Sequence, residues 1–436
     1  MNFDLMRSLL IDRALRGELF SNVTSVEAEG KSLEEEQTTP FTIPNHWQWK
    51  RVADCVQFNP KVIQDDAVEV SFIPMADVEP GFVDHCSTRQ AKPWAKVKKG
   101  FSRFQEGDLL VAKITPCFQN RKSCVAKSLI NGTGAGSTEF HVMRCVSGVD
   151  AKFLLYFFKS EYFIRYGVNH FNGTVGQQRV GAQDIKDCLI PVPSVEEQVR
   201  IVAKLEDTFA EIDRAEKAYE ELQTLAGVLR GQILQEAIQG KLVPQLAEEG
   251  VVEQIGVAPD ERPFEIPKSW KWRALDEIFK FVDYRGKTPT KTTDGVRLIT
   301  ASNVRQGYVD HKRIEFISSE EYIDRQNRGI SKKGDILFTT EAPLGNVALA
   351  DLDVYSAGQR VITLQTDSEN KKLLMYFMLS PYFQKALKNN ATGTTAQGIK
   401  AARLKKLMLP VPPVEEQARI ASKVEELLKQ VDALSA

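Results

Sequence analysis

Clustered lysines, arginines and amides are the side chains of this chain best equipped for chemistry, and that chemistry is the binding of a polyanion. Lys92, Lys96, Lys98, Lys99 and Arg103 are interleaved with Trp94 and Phe101, and Gln119, Asn120, Arg121 and Lys122 follow. The polar loop Asn172 to Arg179 adds Gln177, Gln178 and Arg179. Further on, YRGKTPTKTTDG (Tyr284 to Gly295) carries Arg285, Lys287 and Lys291 between glycines and a proline, a composition suited to a loop that approaches a backbone closely. Asn303, Arg305, Arg360, Gln397 and Lys400 complete the set. Ammonium and guanidinium groups bind phosphates, whereas Arg, Lys, Asn and Gln can make paired hydrogen bonds to base edges. Competing readings stand beside these: a solvated face for the lysine run, a surface turn for 284 to 295, and a structural ion pair for Arg360.

No catalytic constellation accompanies them. The sequence has no GxxxxGK phosphate loop, no HExxH, no NPPY-type loop and no clear carboxylate and lysine cluster of a nuclease, and its five histidines are scattered. GTGAGS (Gly132 to Ser137) lacks the strand, loop and helix spacing of a dinucleotide site and reads as a turn. Cys55, Cys86, Cys117, Cys124, Cys145 and Cys188 all lie in the first half without a CxxC spacing, which argues against disulfide staples and metal sites. The apolar N-terminal stretch carries charges, and no run approaches 18 apolar residues, so a cytoplasmic protein without membrane contact is expected.

The elements that must position the cationic residues occur twice. PVPSVEEQVRI (Pro191 to Ile201) returns as PVPPVEEQARI (Pro410 to Ile420), and FTIPNHWQW (Phe41 to Trp49) as FEIPKSWKW (Phe264 to Trp272). EGDLLVAK (Glu106 to Lys113) is echoed by KGDILFTT (Lys333 to Thr340), and GTVGQ (Gly173 to Gln177) by GTTAQ (Gly393 to Gln397). LLIDRALRGELF (Leu9 to Phe20) aligns with QILQEAIQGKLV (Gln232 to Val243), while the second copy stops near Asp432, opposite Asp213. The repeat is therefore circular, and the N-terminal helix is expected to lie beside the C-terminal one and complete the distal repeat.

Charge divides along the same lines. The net charge is −1, yet residues 45–190 hold 19 Lys and Arg against 14 Asp and Glu, and residues 267–409 hold 24 against 15. Basic modules facing a polyanion and acidic helices facing other proteins would produce this asymmetry. From Val195 to Ala237 apolar residues recur every three or four positions, which predicts one long amphipathic helix opened by Ser194 and Glu197 as a capping box and stopped at Gly240. About 45 residues make a helix roughly 65 Å long, which needs a partner helix and would act as a spacer spanning about two turns of B-DNA. A second helix starts at Val414 behind Pro413, which replaces the capping serine.

The organisation that results is an N-terminal helix (1–20), a module (41–193), the central helical repeat (194–243), a second module (264–412) and a C-terminal helical repeat (413–436). Acidic linkers at 21–40 and 244–263 are expected to be solvated. Short β-type runs, Val68 to Pro74, Asp108 to Ile114, Arg297 to Thr300 and Asp335 to Thr340, stand beside one apolar helical run per module, Phe153 to Phe163 and Leu373 to Leu387. The fold class is α+β: two globular α/β modules joined by long antiparallel coiled-coil-like helices, a tandem repeat with circular permutation.

In these motifs, their order, duplication and permutation, the whole chain resembles the DNA-specificity (S) subunits of type I restriction-modification systems. The resemblance implies that each basic module is a target-recognition domain reading one half of a bipartite, asymmetric site in double-stranded DNA. It implies too that the helices set the spacing and bind two methyltransferase (M) subunits, and that motor-nuclease (R) subunits join for cleavage. S-adenosylmethionine would be held by the methyltransferase, so this chain would need no cofactor and catalyse nothing. The other reading is a helical scaffold carrying two ligand-binding modules that do not read DNA.

Overall fold

The two duplicated framework phrases become neighbours in space. In a computed structural model of the chain, Gln48–Arg51 pairs antiparallel with Leu189–Val192, setting Trp49 opposite Pro191, and Lys271–Ala274 pairs likewise with Met408–Val411, setting Trp272 opposite Pro410. Each clasp closes the two ends of a module onto the start of a helix. The structure describes residues 1–20, 39–86, 90–174, 176–252, 262–284, 288–393 and 397–435.

Two compact units, Met1–Ala218 and Tyr219–Ala436, share an antiparallel sheet of like order and differ in a second one. In the first, Val56–Phe58, Phe140–Cys145, Leu109–Ala112 and Ser123–Val125 form an antiparallel sheet in that order. A second sheet runs Gln90–Pro93, Glu69–Ile73, Thr133–Gly136, Ser102–Gln105, and only its middle pair is parallel. The second unit repeats the first of these as Lys280–Asp283, Val361–Gln365, Ile336–Thr340, Leu344–Leu349; its other sheet runs Lys291–Thr292, Phe316–Ile317, Val296–Ile299, Ser356–Ala357, with the single parallel pair at its end and not in its middle. The α+β class follows directly.

The GD turns have a physical cause. Gly107 and Gly334 take positive φ (85° and 81°), and the aspartate after each is buried. Asp108 accepts from the Gln105 N–H (2.7 Å) and bidentately from Arg144 (2.7 and 2.8 Å). Asp335 accepts from the Lys332 N–H (2.8 Å), Gln365 (2.6 Å) and Lys371 (3.0 Å).

The long helix is observed at Val195–Ile238, 44 residues, with Ser194 Oγ accepting from the Glu197 N–H (3.3 Å). Its first part belongs to the first unit and its last part to the second. In the first unit the N-terminal helix Phe3–Leu15 lies antiparallel to it: buried Arg7 meets Asp213 (2.6 Å) and Glu216 (2.5 Å), and Phe20 lies under Arg200. In the second unit the C-terminal helix Val414–Ser435 lies antiparallel to Tyr219–Ile238, with Arg230 on Asp432 (2.6 Å). Arg7 and Arg230 are repeat equivalents, as are Asp213 and Asp432, so each unit contains one complete, permuted helical pair. The stripe is buried at Val202, Leu205, Phe209, Ala226, Ile233 and Ala237, but Val195, Val199, Leu222 and Leu229 are exposed. No helix of the described residues is long and apolar enough to cross a membrane.

The glutamine of each EEQ phrase is a buried stitch. Gln198 donates to the carbonyls of Gly148 (3.1 Å) and Pro193 (3.0 Å) and accepts from the Asp150 N–H (2.8 Å), while Gln417 donates to Pro412 O (3.0 Å) and accepts from the Asn370 N–H (2.7 Å). Three expectations need correction. Thr133–Gly136 of GTGAGS, read as a turn, is a buried strand of the second sheet. Each single apolar helical run is a pair of helices, Ala151–Lys159 with Glu161–Asn169 and Lys371–Leu379 with Pro381–Asn389. Ser160 and Ser380 break them, because each hydroxyl caps the following helix at Phe163 N (3.1 Å) or Phe383 N (3.3 Å). The second linker is also not simply solvated: Glu249 is an almost fully buried partner of Arg419, and Gln245 donates to Glu416 (2.6 Å). Residues 21–38 of the first linker and 253–261 of the second lie outside the described residues.

Candidate nucleic-acid interface

Three cations converge in the first unit where strand ends meet. Arg103 on Ser102–Gln105, Lys113 just past Leu109–Ala112, and Arg179 ahead of the helix Ala182–Asp187 line one open cleft of about 670 Å³ with Asn59, Phe101 and His141. Arg103 is exposed, and neither it nor Lys113 has a side-chain hydrogen bond among the described residues. Arg179 is half-exposed and grips Glu139 through Nε (2.9 Å) and Nη2 (3.0 Å), its Nη1 donating to Gln177 O (3.0 Å). That grip holds the Glu139 carboxyl below its ordinary range. His141 is buried, bonds Val180 O (3.0 Å), and is pushed by burial toward the neutral form. The cleft is therefore a cationic rim over a neutral, partly aromatic floor.

Other expected residues fall elsewhere. Lys99 and Gln177 are exposed. Lys98 pairs with both oxygens of Asp66 (2.6 and 2.7 Å), and Gln178 is fixed through its backbone to Thr115 (3.0 Å). Gln119 and Arg121 line a different cleft, of about 880 Å³, beside Asp4, Asp213 and Glu216 of the helices. Arg121 is spent on Lys159 O (2.9 Å) and Glu161 (2.5 Å), and Lys122 on Met75 O (3.1 Å). These two are structural cations of the module base, and that acidic cleft does not suit a phosphate backbone.

In the second unit Arg360 pairs with Glu341 (2.9 Å), the ion pair weighed for it, yet half of its side chain stays exposed. Glu341 is bridged through the backbone to Gly398, so Arg360 shares an edge with exposed Gln397 and, one turn on, exposed Lys400. Thr288 Oγ1 donates to Gln359 Oε1 (2.7 Å) beside this edge. Lys291 is half-exposed on Glu315 (2.8 Å), where the hydrogen bonds of Lys291 and Arg313 outweigh burial and hold the carboxyl low. Arg305 lies loosely by Asp310 (3.6 Å). Asn303 is a correction: it is fully buried, its Oδ1 accepts from Thr300 N (3.0 Å) and Oγ1 (2.9 Å), and its Nδ2 donates to the carbonyls of Asp310 (2.9 Å) and Arg313 (2.8 Å). Nothing is left for a base. Arg285 and Lys287 lie outside the described residues.

Sequence reasoning missed Lys113, Glu139 and Glu341. Lys113 could have been found, since it ends the repeated EGDLLVAK phrase, but a carboxylate that orients a guanidinium across strands leaves no local pattern.

A family model described as the type I restriction modification DNA specificity domain matches residues 44–224 and 267–435. The chain belongs to this family. It is 28% identical to the type I restriction enzyme EcoAI specificity subunit of Escherichia coli, over 98% of this chain and 89% of that one. The EcoEI specificity subunit of the same organism is 25% identical at the same coverage, and the MjaVIII specificity subunit of Methanocaldococcus jannaschii 24% identical over 90% and 87% of the two chains. Among solved structures, a chain from a study of complex assembly and conformational transition of the type I R-M system superposes with a TM-score of 0.70 at 21% identity, covering 91% of this chain and 93% of that one. The HsdS subunit from Thermoanaerobacter tengcongensis gives 0.55 at 21% identity, covering 91% and 92%. Both likenesses show the fold. Each matched stretch takes in one module and runs into the helix that follows it, so the model matches twice where the framework phrases occur twice. This chain is a DNA-specificity subunit of a type I restriction-modification system.

Proposed function

We propose that the modules 41–193 and 264–412 each read one half of a bipartite, asymmetric site in double-stranded DNA. The helical segments 1–20, 194–243 and 413–436 set the gap between the halves and dock two methyltransferase subunits. The methyltransferase brings S-adenosylmethionine, flips the target adenine and methylates it, and motor-nuclease subunits join for cleavage. This chain supplies address and scaffold, not catalysis, and acts in the cytoplasm. The observation that carries the reading is the convergence of Arg103, Lys113 and Arg179 in one cleft of a module that occurs twice on this family's framework. Phosphate contacts make affinity fall steeply with salt, the slope growing by roughly 0.9 per neutralised phosphate. In the assembled complex with its methyltransferase, reversing both Arg103 and Lys113 to Glu lowers that slope by about 2. Binding that is insensitive to salt in the parent complex contradicts the reading.

A further inference from the structure

The half-exposed arginine on a glutamate recurs in both units with its carrier exchanged. Two backbone hydrogen bonds fix the correspondence. Lys113 N donates to Glu139 O and Thr340 N to Arg360 O, both at 3.0 Å, while Val180 N donates to Lys113 O and Ile399 N to Thr340 O, again at 3.0 Å. Glu139 and Arg360 therefore hold the same ladder position, as do Arg179 and Gly398. Where the first unit places the guanidinium on the return strand and the carboxylate at the strand start, the second places the guanidinium at the strand start. It leaves a glycine on the return, where a Cβ would come within 3.2 Å of Glu341 Cβ. Surface ion pairs contribute little to stability, so a fold requirement does not explain why the pair is kept while its carrier moves.

We propose that Arg179 and Arg360 are the guanine-reading residues of the two half-sites, and that Glu139 and Glu341 are positioning residues that aim them. The proposal rests on the half-site reading above and deepens it. Glu139 takes the side edge of the Arg179 guanidinium, Nε and Nη2, and Gln177 O takes one hydrogen of Nη1. One N–H on Nη1 and one on Nη2 remain, two donors for the two acceptors, O6 and N7, that guanine shows in the major groove. Arg360 meets Glu341 as an ion pair at Nε (2.9 Å), and its side chain makes no hydrogen bond among the described residues. A carboxylate that fixes the plane of a guanidinium removes rotamer freedom before binding, which favours base reading over a loose phosphate contact. Carrying the arginine on different strands presents it differently in the two units, as two unlike half-sites require.

The test is single-molecule mapping of adenine methylation in DNA from cells that make the cognate methyltransferase with the parent chain, R179A, R179K, R360A or E139Q. The parent motif should contain a G·C pair in each half-site. R179A relaxes that position in one half only, by about 10- to 100-fold in preference, and R360A does so in the other half. R179K keeps the charge and the fold but loses the fork, so it relaxes the same position, and E139Q relaxes it less. Should R179A and R179K lower methylation evenly at all sites with the motif unchanged, the arginine is a phosphate contact and the proposal is overturned. A parent motif without G·C in either half overturns it as well. A parent chain that directs no bipartite motif instead refutes the half-site reading itself.

Discussion

Replacing Asp108 by alanine tests how the GD turn carries its module. The carboxylate is almost fully buried, with a side-chain exposure of 1%, and it satisfies both the Gln105 N–H and the two donors of Arg144. Its contact raises the proton affinity of the Arg144 guanidinium, the sign of a net attraction. Breaking a buried pair costs about 3 to 5 kcal/mol when the remaining charge is stranded. Arg144 keeps 33% of its side-chain exposure and can rehydrate, which puts D108A at the low end, about 3 kcal/mol. D108N retains an acceptor for Gln105 N and one for Arg144, and should cost about half as much. Urea unfolding followed by hydrogen exchange and mass spectrometry gives both the magnitude and its location. Protection should fall in peptides spanning 102–145 and stay unchanged in the second unit, where Asp335 closes the equivalent turn. A loss below 1 kcal/mol, or equal loosening of both units, would refute the reasoning.

Three other perturbations follow from the same packing. Gly17 and Gly240 end their helices at φ +74° and +70°, and a Cβ would come within 2.3 Å of Pro44 Cγ and 2.4 Å of Pro267 Cγ. Alanine at either site should cost about 2 to 4 kcal/mol by calorimetry, against about 1 kcal/mol at Gly81, which has a like φ and open space. Ser160→Ala or Ser380→Ala removes a helix cap and should cost about 1 kcal/mol each, read from the urea midpoint. Lys159 is buried on the carbonyls of Gly81 (2.9 Å) and Arg121 (3.0 Å), and burial pushes its amine down to about 8 from 10.5. The folded state sheds this proton first, so the site's contribution to stability is lowest below pH 8 and rises between pH 8 and 10.5. The stability of the parent relative to K159M should climb by on the order of 1 kcal/mol per pH unit there, and a flat difference would contradict it.

Framework was more legible in the sequence than contact. The clasp phrases, the GD turns and the helix-ending glycines are local patterns with local causes, and they recur because both units close the same way. The 44-residue helix was readable because its apolar period survives even where Leu222 and Leu229 face solvent. The serine breaks at 160 and 380 were not, since a hydroxyl that caps a helix inside an apolar run looks like any tolerated polar residue. Among the cationic candidates, charge and composition could not tell Arg103, which is exposed at the cleft, from Arg121, which is spent on a carbonyl and Glu161. The partners that decide this lie 38 or more residues away in sequence. Asn303 failed for a different reason: its partners Thr300, Asp310 and Arg313 lie within ten residues, but its four hydrogen bonds come from turns that composition alone does not reveal.

The central claim is that two modules address two half-sites. Its most direct test is to exchange residues 264–412 for the matching module of another member of the family and map adenine methylation in cells containing the cognate methyltransferase. A bipartite motif should appear only when the chain is present, and one half of it should change with the exchange while the other half and the methylated base stay as they were. A motif that ignores the exchange, or one that changes in both halves, would contradict it.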